Sequence, residues 1–126
     1  LVMRKFLSLL VLISTISSSA MASILDIVET KGAITVYHEN KGIKSYSVIS
    51  KDGGKRLLMG YSSSIVVLQD EHTIYVLDEK GNTISTKSRE DKNVVSVVGE
   101  NYITDDGHWI TKFDKKGFRI SSKGKN

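Results

Sequence analysis

The run from His72 to Lys87, HTIYVLDEKGNTISTK, returns from His108 to Lys123 as HWITKFDKKGFRISSK. The shift is a constant 36 residues (His72 to His108, Asp78 to Asp114, Ile84 to Ile120), and His, Ile, Asp, Lys, Gly, Ile, Ser and Lys stay in register. A repeat of this length built from short strands cannot bury its apolar face alone and must stack on copies of itself. The constraint falls on architecture rather than on a substrate.

Around the repeat, short β-rich runs alternate with turn signals, and after the first 22 residues no stretch holds helical periodicity. Strands are expected at Ile24–Glu29, Ala33–Tyr37, Ile43–Ile49, Lys55–Met59, Ser64–Gln69, Thr73–Leu77, Thr83–Lys87, Val94–Val98, Asn101–Thr104, Trp109–Phe113 and Phe118–Ser122. The fold class is all-β, with antiparallel sheets. Lys51-Asp52-Gly53-Gly54 is the strongest turn, with Lys55–Met59 expected to pair behind it, because glycine takes positive φ without a Cβ clash. Val94–Val98 is nearly continuous in apolar residues, as in a strand covered on both faces.

Asp78-x-Lys80-Gly81 and Asp114-x-Lys116-Gly117 have a local cause. Aspartate opening the turn accepts backbone N–H groups, and glycine in the fourth position permits a left-handed, bulged hairpin. Glu39-x-Lys41-Gly42 is a degenerate third copy. Three units follow, at about residues 24–60, 61–98 and 99–123, within one domain spanning 23–126.

Ile74-Tyr75-Val76-Leu77-Asp78-x-x-Gly81-Asn82, and Ile110 to Gly117 in the same way, resemble the second and third strands of blades in bacterial β-propellers of the quinoprotein-like and WD-like kinds. The resemblance implies propeller-blade-like units. The Trp-Asp dipeptide and tryptophan docking motif of those families are absent, so it implies no cofactor or binding residue. Closed propellers have four to eight blades. Three units leave a compact three-fold barrel or pinwheel, a six-bladed ring completed by two chains, or hairpins in a sandwich. A compact single-chain β fold is expected, and a homodimer is compatible with it.

The amino-terminal segment reads as an export signal. Met3-Arg4-Lys5 is a basic start, Phe6–Ile16 an apolar run too short for the ~20 residues that span a bilayer, and Ala20-Met21-Ala22 a cleavage site. A cut after Ala22 is expected, leaving 104 residues (126 − 22) in the periplasm or outside the cell. The chain has no cysteine, which excludes disulfides, thiolate nucleophiles and the commonest structural zinc sites. Removing Arg4 and Lys5 lowers the formal charge from +4 to +2, and the remaining lysines stand singly near turns. No basic stripe with interleaved aromatics points to nucleic acid.

Catalytic constellations are sparse. His72 and His108 follow acidic residues, as Asp70-Glu71-His72 and Asp106-Gly107-His108, and imidazole with carboxylate can hold a metal. Turn chemistry explains the same acids through backbone hydrogen bonds. Ser62-Ser63-Ser64 lacks a nucleophile elbow, and no glycine-rich phosphate loop precedes a helix. No cofactor, metal or enzymatic activity is expected.

Recognition is what remains. Trp109, the only tryptophan, either fills the core or anchors an interface. The candidate partner-binding residues are Trp109, His108, Tyr75, Asp105, Asp106, Arg89 and Glu90. The expected function is a non-enzymatic periplasmic protein-binding module, an inhibitor or immunity protein neutralising a cell-wall-degrading toxin or enzyme. The alternatives are a secreted hydrolase or metal-dependent enzyme using His72 and His108, and a cell-wall glycan-binding module with Trp109 as stacking platform. Function is expected where the copies differ, as at Tyr75 against Thr111 and Thr73 against Trp109.

Overall fold

The computed structural model describes residues 22–126. The export signal expected over residues 1–22 falls, but for Ala22, outside the described residues. Eleven strands and no helix follow: β1 (Ser23–Glu29), β2 (Ala33–Asn40), β3 (Ile43–Ser50), β4 (Leu57–Tyr61), β5 (Val66–Gln69), β6 (Thr73–Leu77), β7 (Thr83–Ser88), β8 (Asn93–Val98), β9 (Asn101–Asp105), β10 (Trp109–Asp114) and β11 (Arg119–Gly124). They form three antiparallel sheets, ordered β1-β2-β3, β4-β5-β6-β7 and β11-β10-β9-β8. Among the described residues the sheets do not close into a propeller.

The all-β reading holds, while the strand pairing redraws the units. The strand expected at Lys55–Met59, behind the Lys51–Gly54 turn in the first unit, forms at Leu57–Tyr61 and pairs instead with β5 in the second sheet. Val94–Val98, expected to close the second unit, opens the third by pairing with β9. The cause is the connection: Asp52, Gly53 and Gly54 all take positive φ, and Arg56 N–H donates to the Lys51 carbonyl (2.9 Å), which carries the chain to the next sheet. Nor is β8 covered on both faces, since it is an edge strand whose Val95 and Val98 are exposed.

Burial shows how the sheets stack. Ile24, Ile34, Val36 and Ile49 of the first sheet pack on Val66, Leu68 and Leu77 of the second. Ile65, Val67, Ile74 and Val76, on the opposite side of the second sheet, pack on Val94, Tyr102 and Phe113 of the third. The second sheet is therefore the middle layer, and all four residues of β5 are buried. Each such aliphatic side chain contributes about 2 kcal/mol relative to exposure. Buried Gln69 joins the same junction by polar contact, its Oε1 accepting from Val94 N–H (3.0 Å).

The first sheet has one strand fewer, and its β1 edge is guarded. A bulge interrupts the pairing with β2 between Ile24 and Asp26. Ile24 N–H donates to the Ser63 carbonyl (2.7 Å), and Ile27 N–H to the Asp26 carboxylate (2.8 Å). Such devices suppress edge-to-edge pairing.

The repeated turns form as the residues require. Asp78 Oδ1 accepts from Lys80 and Asn82 N–H (2.9 Å each), and Asp114 Oδ1 from Lys116 (2.9 Å) and Phe118 (3.0 Å). Gly81 and Gly117 share a φ of +88°. The degenerate copy differs: Asn40 pairs with Ile43 across a two-residue turn in which Lys41 and Gly42 both have positive φ. A Cβ at Gly81 meets Ile49 Cγ1 at 2.9 Å, whereas at Gly117 nothing lies within 4 Å. Gly117→Ala is expected to cost about 1–2 kcal/mol of backbone strain, and Gly81→Ala about 1 kcal/mol more from overpacking, both read by urea unfolding.

Tyr102 is fully buried, stacked on Phe113 at 5.3 Å, and its hydroxyl has no hydrogen-bond partner among the described residues. Burial, reinforced by the Asp114 charge, pushes its pKa up to about 12 from 10.0. Above pH 10 the unfolded phenol ionises first, so this contribution to stability is intact below pH 10 and lost by about pH 12. Tyr102→Phe is expected to remove that alkaline loss and to stabilise the fold at neutral pH by about 1 kcal/mol, measured by urea unfolding at both pH values.

Candidate functional site

The β5–β6 and β9–β10 turns are copies of one another. Asp70 Oδ1 accepts from the N–H groups of His72 (2.9 Å) and Thr73 (2.7 Å), and Asp106 Oδ1 from those of His108 (2.9 Å) and Trp109 (2.8 Å). The acids are thereby committed to backbone donors, and His72 and His108 ride on the exposed crown of each turn. Among the described residues no three His, Asp or Glu side chains converge as a metal site would need.

Four of the seven expected partner-binding residues come together at the β9–β10 turn. Asp105 accepts from Gly107 N–H (2.8 Å) through Oδ1 and from Lys125 Nζ (3.0 Å) through Oδ2; Asp106, exposed His108 and Trp109 follow it. Trp109 is 52% exposed, which decides between core and surface. Its ring borders a shallow pocket of about 240 Å³ with Asp106, Thr111, Arg119 and Ser122. Thr111 and Ser122 join their hydroxyls at 2.9 Å, and Arg119 makes no ion pair among the described residues.

Tyr75, Arg89 and Glu90 lie elsewhere and have other work. Tyr75 is half-buried against the first core cluster, donates its hydroxyl to Asp70 Oδ2 (2.7 Å) and carries the Arg56 guanidinium 4.2 Å above its ring. Arg89 clamps the β7–β8 link to the preceding turn, donating from Nε to the Lys92 carbonyl (2.8 Å), from Nη1 to that of Asp70 (3.2 Å), and from Nη2 to Asn93 Oδ1. Glu90 is strongly exposed and pairs with Lys92 at 3.5 Å. A side chain so fully bonded as Arg89 has a structural explanation without a partner.

Arg119, Thr111 and Ser122 complete the pocket, and only Thr111 was marked by sequence. A signal existed for the others: Arg119 replaces Thr83 and Ser122 replaces Thr86 at the 36-residue shift. Thr111, which lines the pocket, also stands where the middle sheet carries the larger Tyr75.

The carboxylates are tuned towards ionisation. The Tyr75 hydroxyl, then the His72 and Thr73 N–H groups and the Arg56 charge, hold Asp70 below its ordinary value against opposing burial. Asp106 is lowered by the His108 and Trp109 N–H groups, and Asp105 by Gly107 N–H and Lys125. Their direction is opposite to that of a general acid poised near neutrality. Each depressed group contributes stability above about pH 3.9, lost as pH falls through its folded pKa. Tyr75→Phe should raise the pKa of Asp70 and leave that of Asp106 in place, followed by carboxyl-carbon NMR titration.

Comparison with protein-family models, with curated proteins and with solved structures finds no match to this chain.

Proposed function

We propose that the protein is a non-enzymatic, exported recognition module that binds another protein through the β9–β10 turn, as an inhibitor or immunity protein occupying the cleft of a cell-wall-degrading enzyme. The supporting observation is Trp109, half-exposed beside the uncommitted Arg119 on a turn fixed by Asp105 and Asp106. Tryptophan and arginine dominate binding hot spots, because each combines a large apolar contact with a polar reach. A pre-ordered turn lowers the entropy cost of docking. The chemistry suits a partner that presents a carboxylate next to an apolar side chain, the carboxylate meeting Arg119 and the apolar group the indole.

A second reading has one observation in its favour. The indole face, the paired Thr111 and Ser122 hydroxyls and Arg119 also resemble a small sugar-binding shelf, which supports a cell-wall glycan module. Affinity capture with tagged protein from periplasmic extract, followed by titration calorimetry on the recovered partner, tests the first reading. Trp109→Ala and Arg119→Ala should each weaken binding by on the order of 30-fold, with circular dichroism unchanged. Binding of soluble peptidoglycan fragments that is lost in Trp109→Ala, with no protein recovered, would replace it by the second.

A further inference from the structure

Among the described residues, the two outer sheets each leave one face without a covering layer, and the repeat says what those faces match. Val67, Ile74 and Ile84 of the middle sheet pack on the third sheet. The 36-residue shift places Ile103, Ile110 and Ile120 at the same positions of the third sheet, where Ile103 and Ile110 alternate with the inward Tyr102 and Phe113 and are half-buried, and Ile120 is exposed. Polar contacts carry over too. Ser85 donates its hydroxyl to the Lys115 carbonyl, and Lys87 Nζ sits 4.9 Å from the Phe113 ring centre, both from the middle sheet to the third. Their copies, Ser121 and Lys123, stand on the open face of the third sheet.

The first sheet's open face has the complementary character. Its β1–β2 turn closes as Thr30 N–H to the Ala33 carbonyl (2.9 Å), the counterpart of Asp70 N–H to Thr73 (2.9 Å). In that alignment Val28 stands for Leu68 and Tyr37 for Leu77, both buried where the middle sheet receives the first. Here the same positions are exposed, together with Tyr46 and Val48, and Tyr37 and Tyr46 lie with ring centres 6.2 Å apart. One open face therefore repeats the donating side of the internal junctions, and the other repeats the receiving side.

We infer that a second copy of this chain covers both faces, the third sheet of each copy stacking on the first sheet of the other to close a two-fold ring of six sheets. Lys123 then lies over Tyr37 of the other copy, as Lys87 lies over Phe113 within one chain. Six layers fall within the four to eight that closed β-propellers use, and a heterologous contact made twice closes without leaving a free face. This explains why four of the eight residues preserved between the copies, Ile110, Ile120, Ser121 and Lys123, stay unchanged on a face that no other sheet covers among the described residues. The inference goes beyond the proposed recognition role, and the Trp109 pocket, on the opposite side of the third sheet, remains open.

Sedimentation equilibrium of the purified protein tests it. A dimer is expected, weakened on the order of 30-fold by either Tyr46→Glu or Ile120→Lys, with circular dichroism unchanged because both side chains are exposed. Mixing the two variants should restore a dimer, since one junction in the mixed pair is native and the other sets opposite charges face to face. A monomer throughout, a dimer indifferent to both substitutions, a mixture that stays monomeric, or a species growing beyond two copies would each overturn the ring.

Discussion

The fold depends on a middle sheet that is apolar on both sides. Val66 and Leu68 point to the first sheet and Val67 to the third, so alternate residues of one four-residue strand hold two separate cores together. With no cysteine in the chain, this burial takes the place of covalent cross-links. Each outer sheet puts one of its faces into these two cores, and neither core could form without the middle layer.

Backbone hydrogen bonding at the turns is the second requirement, and it consumes most of the acidic residues that first look like chemistry. Asp70, Asp78, Asp106 and Asp114 each accept two backbone N–H groups, and their pairwise equivalence reflects that need. These positions serve the scaffold, and the copies part elsewhere. Trp109 for Thr73, Thr111 for Tyr75 and Arg119 for Thr83 gather around one pocket, although they are dispersed along eleven residues of chain.

Strand positions were legible because alternation and turn residues are local properties. All eleven expected strands exist within two or three residues of their ends. Sheet membership was not legible for Leu57–Tyr61 and Val94–Val98, because a strand of either period-two face can pair with whichever neighbour the connection delivers. The placement of the candidate site was half legible. Asp105, Asp106, His108 and Trp109 are contiguous in sequence and share a turn, whereas Tyr75 and Arg89 looked similar in composition but are engaged by Asp70, Arg56, Lys92 and Asn93.

The sequence by itself determined an all-β chain of repeated antiparallel strands, with aspartate and glycine turns at set places, since each of these follows from neighbours within about five residues. Tertiary structure alone decided that the middle sheet is buried twice, that Trp109 faces solvent, that Arg89 is a clamp, and that a pocket opens beside Thr111. Those outcomes depend on which sheet meets which face, a relation between residues far apart in the chain that local periodicity does not encode.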